Sequence, residues 1–300
     1  MSNPFRAGFA ALVGRPNVGK STLLNALIGE KLSIVTPKPQ TTRHRVLGIL
    51  TLPEAQIVFV DTPGLHEGEK RALNRAMNRT AAAALGDADL VVFICEALQW
   101  TRADEHALER VRRVGRPCIA VINKTDLAKP RDRLLPFVAE LAQRHDFLEI
   151  IPMSAKHKDR GSSNLDRLKS VIASHLPESP QLYASEDRTD RDLKFRIAET
   201  IREKLTLELN QEVPYGIAVE IESMQEEDQQ LVVSAVIWVD REGQKPIVIG
   251  AEGSKLKRVG SAARRELNAL FGKRFHLTLW VKVREDWADD ARALKALGLE

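Results

Sequence analysis

The most specific spacing in the chain belongs to a short loop, Gly14-Arg-Pro-Asn-Val-Gly19-Lys20-Ser21, which fits the pattern G-x-x-x-x-G-K-[ST]. An apolar run precedes the loop and a helical pattern follows it. In that setting backbone N–H groups turn towards phosphate oxygens, Lys20 reaches the β- and γ-phosphates, and Ser21 is a magnesium ligand. The residues expected to bind a nucleotide here are Gly14, Asn17, Val18, Gly19, Lys20, Ser21 and Thr22.

A second polar turn, Asp61-Thr62-Pro63-Gly64, ends the apolar run Gln56–Val60. Asp61 is expected to project from the carboxyl end of a strand, the edge where open α/β sheets bind ligands, and to reach the metal. Gly64 is expected to sense the γ-phosphate. Taken alone such a tetrapeptide is more often an ordinary turn. Its distance from the phosphate loop favours the metal site, with Thr62 and Pro63 beside the nucleotide.

A third motif, Asn123-Lys124-Thr125-Asp126, follows the apolar run Cys118–Ile122. The Asp126 carboxylate can accept hydrogen bonds from the ring N–H and the exocyclic amine of guanine, and adenine offers no such pair of donors. A site whose buried acceptor stays unpaired with the wrong base rejects that base. The motif therefore predicts guanine specificity.

The first half of the chain alternates apolar runs with helical patterns, which is a βαβ rhythm. The predicted strands are Gly8–Val13, Gln56–Val60, Leu90–Cys95, Cys118–Ile122 and Leu148–Pro152. The predicted helices are Lys20–Leu27, Lys70–Leu85, Asp104–Val114, Asp132–Arg144 and Asn164–His175. A doubly wound, mostly parallel sheet follows. Val46–Leu52 can pair only as a hairpin, so it is expected to run antiparallel.

The chain has 300 residues, which predicts two domains. Between Pro177 and Asp192 the periodicity disappears and Pro, Ser and charged residues gather, as in a linker. We expect a nucleotide domain at 1–177, a linker at 178–192 and a second domain at 193–300. The second domain has the order α-β-β-α-α-β, with two short helical stretches in its middle, and it is expected to be an α+β fold.

The motifs GRPNVGKST, DTPG and NKTD and the run Ser154-Ala155-Lys156 stand in the order found in the TrmE-Era-EngA family of GTPases, which the chain resembles. This resemblance implies a P-loop GTPase sheet, GTP and GDP as ligands, and Mg²⁺. It also implies that Asn123 braces the base and the phosphate loop, that Lys124 lays its stem on the base, and that the Ala155 N–H reaches the guanine oxygen. Ser154 and Lys156 complete the base site.

The resemblance also implies a catalytic set of Lys20, Thr42, Gly64 and Asn17. The first switch is similar to Pro39-Gln40-Thr41-Thr42-Arg43, in which one threonine closes on magnesium; we favour Thr42 over Thr41. Leu65 stands where better-known GTPases have a water-orienting glutamine, so slow intrinsic hydrolysis is expected. Two interpretations of Asn17 stay open, a ligand of potassium and a residue that braces the loop.

A loop in the second domain resembles the G-x-x-G loop of a KH domain, and the order of elements resembles the type II KH arrangement. The expected RNA-binding residues are Gly250, Ala251, Glu252, Gly253, Ser254, Lys255, Lys257 and Arg258. The glycines would let an RNA backbone approach while an adjacent groove takes about four nucleotides. A lone G-x-x-G is a weak signal. Basic residues outnumber acidic ones between Arg241 and Arg284, which favours RNA, although a charge run is usually a solvated face. Glu252 departs from the pattern, because a carboxylate faces phosphate poorly.

Composition excludes several classes: 43% apolar and 29% charged residues are ordinary for a globular protein, and no apolar run could span a bilayer or act as a signal peptide. Cys95 and Cys118 are expected to be buried thiols. The resemblance implies a cytoplasmic, monomeric switch that hydrolyses GTP, binds small-subunit ribosomal RNA near its 3′ end and assists assembly of the small ribosomal subunit. Peripheral contact with the inner membrane through basic residues is the most that the sequence permits.

Two alternatives remain at this point. One is an RNA-binding module whose nucleotide domain no longer cycles, and the intact Lys20, Ser21, Asp61 and Asp126 argue against it. The other is a tRNA-modification GTPase, which would need a folate-type domain and a catalytic cysteine that this sequence lacks.

Overall fold

The structure is a computed structural model that describes residues 4–64, 71–209 and 216–299, with only the backbone described at 131 and 158–162. The chain divides into two compact units. The first contains 1–33, 42–69 and 77–190, and the second contains 34–41, 70–76 and 191–300. Among the described residues no helix is long and apolar enough to cross a membrane.

The first unit is built on a six-stranded sheet with the order β2-β3-β1-β4-β5-β6. Its strands are β1 (Arg6–Val13), β2 (Val46–Thr51), β3 (Ala55–Asp61), β4 (Leu90–Glu96), β5 (Cys118–Asn123) and β6 (Glu149–Pro152). All neighbouring pairs are parallel except β2 and β3. The predicted mostly parallel sheet and its antiparallel strand are confirmed. Cys95 and Cys118 are buried, which raises the pKa of both thiols to about 12.

Helices cover this sheet because its strands are apolar on both faces. They are α1 (Lys20–Ile28), α2 (Ala72–Gly86), α3 (Arg102–Val114), α4 (Leu134–Ala142) and α5 (Lys158–His175). Helix α5 begins six residues before its predicted start at Asn164, because the polar residues there continue the helix without adding an apolar stripe. The predicted start of α2 at Lys70 lies outside the described residues.

The segment predicted as a linker is attached to the first unit. Gln56, buried in β3, accepts hydrogen bonds from the backbone N–H groups of Leu182 and Tyr183 at 2.8 and 2.9 Å. Further along, the Arg188 carbonyl accepts a hydrogen bond from Ile49 N–H at 2.9 Å. The polar, aperiodic composition of this segment therefore did not indicate a flexible linker. The domain limits themselves stay a prediction.

The second unit places three strands against helices in the order α6, β7, β8, α7, α8, β9, as predicted. These are α6 (Leu193–Glu208), β7 (Ile217–Glu227), β8 (Gln230–Val239), α7 (Lys245–Ile249), α8 (Ser254–Phe271) and β9 (Arg274–Val283), followed by α9 (Ala291–Ala296). Strand β8 is antiparallel to β7 and parallel to β9. The expectation of two short middle helices is wrong for α8, which has 18 residues.

Two segments within the nucleotide half of the sequence belong to the second unit, one between α1 and β2 and one at the start of α2. In 34–41, Val35 N–H donates to Glu203 at 2.9 Å and the Thr41 carbonyl accepts from Arg202 at 2.5 Å. In 70–76, Ala72 N–H donates to Asp289 at 2.8 Å. Sequence order therefore does not decide unit membership in these two places.

Candidate functional site

The phosphate loop joins the end of β1 to the start of α1, and two of its positions have no room for a side chain. A Cβ on Gly14 would lie 2.3 Å from the Ile94 carbonyl oxygen. A Cβ on Gly19 would lie 2.3 Å from Asn123 Nδ2, and Gly19 has a φ of 100°. The loop can therefore curl this tightly only with glycine at both positions.

Lys20 begins α1 and points back into the loop. Its Nζ donates to the carbonyls of Gly14 and Arg15 at 3.0 and 3.1 Å. Burial lowers the Lys20 pKa to about 8, although the nearby Asp61 carboxylate acts in the opposite direction. A phosphate in the loop would supply the negative charge that this buried ammonium lacks.

Oxygen ligands of the kind that Mg²⁺ prefers converge next to Lys20. Ser21 Oγ donates to Asp61 Oδ2 at 2.7 Å and lies 2.9 Å from Thr42 Oγ1. Asp61 Oδ1 is buried and has no hydrogen-bond partner among the described residues, and burial raises the pKa of this carboxyl group. Hydroxyl and carboxylate oxygens with an unpartnered buried oxygen fit a bound magnesium ion.

The two switch threonines differ in what they contact. Thr41 Oγ1 lies 2.6 Å from Thr36 Oγ1 and donates to the Lys38 carbonyl at 2.7 Å, whereas Thr42 Oγ1 is beside Ser21. Only Thr42 is therefore placed at the oxygen cluster.

The turn after β3 lies beside the phosphate loop. Thr62 Oγ1 donates to the Leu12 carbonyl at 3.3 Å, and a Cβ on Gly64 would lie 3.0 Å from Pro16 Cγ. Pro63 stands between them. Asn17 is exposed with a φ of 64°, a left-handed conformation that asparagine tolerates. Leu65 lies outside the described residues.

The base-reading motif is tied to the phosphate loop by Asn123, at the end of β5. Asn123 Nδ2 donates to the Val18 carbonyl at 2.8 Å, and its Oδ1 accepts from the Ala155 N–H at 3.0 Å. The Ala155 N–H, expected to reach the guanine oxygen, is therefore engaged with Asn123. A bond to guanine would have to share or replace that hydrogen bond.

Both carboxylate oxygens of Asp126 have neighbours at the surface of the first unit. Ser154 Oγ donates to Oδ1 at 2.5 Å, and His157 Nε2 lies 3.5 Å from Oδ2. Lys156 is exposed between them in sequence. The serine holds the carboxylate in place, and the second oxygen is accessible to a base that displaces the histidine.

Glu96, the last residue of β4, joins the two halves of the nucleotide site and was missed by sequence reasoning. Its Oε2 accepts from Lys124 Nζ at 2.8 Å and from Arg15 Nη2 at 3.0 Å. The Arg15 Nε also donates to Asp104, whose side chain is fully buried, at 3.1 Å. The signal was one acidic residue ending an apolar strand. That signal could not show which cations the carboxylate meets.

In the second unit, the G-x-x-G loop follows α7 and leads directly into α8. Gly250, Glu252 and Gly253 all have positive φ angles, of 75°, 51° and 76°. A Cβ on Gly250 would lie 2.8 Å from Lys255 Cγ, whereas a Cβ on Gly253 would meet no atom within 4 Å. Gly250 is needed for local packing, and Gly253 leaves open space. Ala251 and Ser254 complete the loop.

Open space beside Gly253 continues as a groove of about 410 Å³ between α8 and the edge strand β9. Its lining residues are Gly253, Leu256, Lys257, Gly260, Ser261, Arg264, His276, Leu277 and Leu279. Of the predicted RNA residues only Gly253 and Lys257 line it. Gly260, Arg264 and His276 were not predicted, because they become neighbours only when α8 lies along β9.

Two predicted RNA contacts have protein partners here. Arg258 Nη2 lies 2.5 Å from Glu208 Oε1, and this pairing lowers the Glu208 pKa. Lys255 Nζ donates to the Ile247 carbonyl at 3.1 Å. Both pairs are exposed, so phosphate could replace either partner at small cost.

Comparison with known proteins gives two family matches. A model described as 50S ribosome-binding GTPase matches residues 9–124, and a KH domain model matches residues 212–288. The chain is 51% identical to GTPase Era of Marinobacter nauticus over 294 residues, which is 98% of this chain and 95% of that protein. It is 47% identical to GTPase Era of Pseudomonas fluorescens over 297 residues, 99% of this chain and 98% of that protein.

Two solved structures resemble the whole chain. Aquifex aeolicus Era bound to GDP and AlF₄⁻ has a TM-score of 0.93 and 40% identity, covering 98% of this chain and 99% of that one. Era in complex with MgGDPNP and nucleotides 1506–1542 of 16S ribosomal RNA has a TM-score of 0.93 and 41% identity, with the same coverage. Similarity therefore extends over both units and over the motifs of both sites.

Proposed function

Because the chain belongs to the Era family of GTPases, we propose that it is a GTP-hydrolysing switch that binds small-subunit ribosomal RNA and assists assembly of the small subunit. The fold of a P-loop GTPase followed by a KH domain agrees with this function. The observation that carries the nucleotide half is the cluster of Ser21, Asp61 and Thr42 beside the buried Lys20. This cluster supports a magnesium site beside an ammonium that binds phosphate.

Each group in the nucleotide site has a part in binding and hydrolysis. Lys20 exchanges the carbonyls of Gly14 and Arg15 for the β- and γ-phosphates. Ser21, Asp61 and Thr42 would hold Mg²⁺, which when bound neutralises charge on the phosphate oxygens. Gly64 lies near Pro16 of the phosphate loop, where its N–H can contact the γ-phosphate.

Base recognition rests on Asp126 and its supports. Ser154 fixes one carboxylate oxygen, and Asn123 ties the motif to Val18 in the phosphate loop. Glu96 holds Lys124 and Arg15 together. These contacts fix the distance between a guanine bound to Asp126 and the phosphates bound to Lys20. The site therefore recognises the base and the phosphates of one nucleotide together.

Hydrolysis without a stimulating partner is proposed to be slow, since Leu65 has no side chain that could orient water. Binding of a monovalent cation by Asn17 stays a prediction, and such a cation would place positive charge near the phosphates. A nucleotide domain that no longer cycles is disfavoured because Lys20, Ser21 and Asp61 are all in place. Measurable GTP hydrolysis would eliminate that alternative.

The RNA half of the proposal is carried by the groove beside Gly253. KH domains hold about four nucleotides in such a groove with the G-x-x-G loop against the backbone. The two comparisons name different ribosomal subunits. The description of the matched GTPase family names the large subunit, 50S, whereas the Era complex contains 16S RNA of the small subunit. We favour the small subunit, because the Era relative covers both units and the other match covers only part of the first.

The experiment that tests the RNA proposal is a titration with nucleotides 1506–1542 of 16S ribosomal RNA at several salt concentrations. Gly253→Asp should lower affinity at least tenfold, about 1.4 kcal/mol, without changing GTP hydrolysis in the absence of RNA. Gly253→Ala is the matched control, because it adds the same backbone strain at φ 76° but no charge. Glu252→Lys should tighten binding and steepen its salt dependence. Unchanged binding in Gly253→Asp would place RNA elsewhere.

The cellular setting follows from the proposed partner. We propose that the protein acts in the cytoplasm as a monomer, where the small subunit is assembled. Peripheral contact with the inner membrane stays a prediction. Fractionation of cells with and without high salt would test it, since contact through basic residues is lost at high salt.

A further inference from the structure

The outer face of strand β9 carries a row of exposed aromatic and basic side chains. Successive side chains of a strand point to opposite faces, so every second residue of β9 lies in this row. Its members are Arg274, His276, Thr278, Trp280 and Lys282, and all but Thr278 are exposed. The alternate residues, including Phe275 and Val281, pack in the core of the second unit.

Trp280 is the feature of this row that folding does not explain. Its side chain is 57% exposed, and among the described residues it has no hydrogen bond, ring contact or cation. Trp238 on the neighbouring strand differs, since its Nε1 donates to Glu220 at 2.8 Å and Lys282 Nζ lies 6.0 Å from the centroid of its ring. An exposed indole face next to solvent is a site on which a planar group can stack.

The row is continuous with the proposed RNA groove. His276 belongs to both, and Leu277 and Leu279 of the same strand line the groove. Trp280 follows Leu279 in sequence but lies on the outer face of the strand, so the row meets the groove at His276. A KH groove holds about four nucleotides, so a longer RNA must extend beyond the groove. An RNA chain that leaves the groove along β9 would pass over this row.

Charge favours nucleic acid at this edge of the sheet. Arg274 forms no ion pair among the residues that the structure describes, so it can bind a phosphate without first breaking an ion pair within the protein. The acidic residues of the same face, Glu220 and Glu222, lie on β7, whose backbone is two strand spacings or about 10 Å from that of β9. Both are engaged, Glu220 by Trp238 and Glu222 by Lys282 at 2.7 Å.

We propose that the outer face of β9 extends the RNA site, with one base stacked on Trp280 and one phosphate near Arg274. The occupant is single-stranded RNA that continues from the groove. The proposal rests on the RNA-binding function above and adds a second, separable part to it.

The test compares RNA length and residue type. The probe is the fragment 1506–1542 of 16S ribosomal RNA and a series of truncations from either end. The reference is the shortest truncation whose binding is still weakened by Gly253→Asp. Trp280→Ala should weaken the full fragment at least fivefold and leave this shortest fragment unchanged, because one stacked base is lost. Trp280→Phe should retain most of the affinity.

Two further variants control for charge and for exposed apolar area. Arg274→Ala should reduce the slope of log affinity against log salt by about 0.7, whereas Trp280→Ala should leave the slope unchanged. Leu207→Ala removes an apolar side chain of 49% exposure on α6 and should have no effect on either RNA. Melting temperatures of all variants check that folding is intact.

The outcomes separate this proposal from the general one. If the parent binds no fragment, the proposed RNA function fails. If the parent binds RNA but Gly253→Asp leaves that binding unchanged, RNA lies elsewhere and the extension along β9 is overturned with the groove. The stacking site is refuted in two cases, given that Gly253→Asp weakens binding. In one, Trp280→Ala weakens binding of the long and the short fragment equally; in the other, Trp280→Ala weakens binding of neither. Weaker binding of Trp280→Ala to small subunits with unchanged binding to naked RNA would mean a protein partner, which also overturns the proposal.

Discussion

Replacing Asp126 with Asn should invert the base preference of the nucleotide site. In the parent, Oδ1 is fixed by Ser154 at 2.5 Å, and Oδ2 can accept from guanine after His157 moves aside. The exchanged amide donates where the carboxylate accepted, so one hydrogen bond to a charged group is lost and two donors face each other. Hydrogen bonds to charged groups contribute about 1.5–3 kcal/mol, so the expected loss for GTP is about 2–4 kcal/mol.

The assay is displacement of a fluorescent nucleotide by GTP and by xanthosine triphosphate. The loss corresponds to about 30- to 700-fold weaker GTP binding, and xanthine, which has an oxygen in place of the amine, should bind the variant better than the parent. Ser154→Ala is the matched control: it frees the carboxylate and weakens GTP binding without favouring xanthine. Equal GTP affinity in Asp126→Asn and the parent would refute the base-reading role.

The remaining predictions concern the phosphate end of the site. Thr42→Ala should raise the Mg²⁺ concentration needed for half-maximal GTP hydrolysis while GDP affinity stays unchanged, and Thr41→Ala should not; equal effects of the two would contradict the oxygen cluster. If Asn17 binds a cation, potassium should give faster hydrolysis than sodium in the parent but not in Asn17→Gly, which keeps the backbone at φ 64° without strain. Burial lowers the Lys20 pKa from 10.5 to about 8, and a bound phosphate raises this pKa again because it stabilises the ammonium. Nucleotide binding between these two pH values should therefore take up a proton, and nucleotide affinity should fall as pH rises. Calorimetry of GDP at pH 9 with EDTA, in two buffers of different ionisation enthalpy, measures this uptake, and none would contradict the burial of Lys20 in the free protein.

The motifs were the most predictable part of this protein, because each is a contiguous run whose chemistry depends on local spacing. Gly14, Gly19 and Asn123 illustrate this: the sequence places them in two motifs, and the fold brings Asn123 Nδ2 to where a Gly19 Cβ would be. The mostly parallel sheet with one antiparallel strand was also predictable, since apolar strands separated by helices can form few topologies.

What the sequence could not show depends on contacts between distant residues. Thr41 and Thr42 are adjacent and chemically identical, and only the fold turns one towards Ser21 and the other towards Lys38. Glu96 is one of many acidic residues until β4 places it between Arg15 and Lys124. The hydrogen bond from Tyr183 N–H to Gln56 could not be predicted either, because it lies in a polar, aperiodic segment.

We propose that the protein is a switch, and a switch requires that the nucleotide bound at the first site sets the affinity for RNA at the second. The most direct test is the dissociation constant for nucleotides 1506–1542 of 16S ribosomal RNA, measured on the parent with Mg²⁺ and either GDPNP or GDP. We expect at least fivefold tighter binding with GDPNP, and loss of that difference in Thr42→Ala, whose oxygen cluster is incomplete. Equal RNA affinity with both nucleotides in the parent would contradict it.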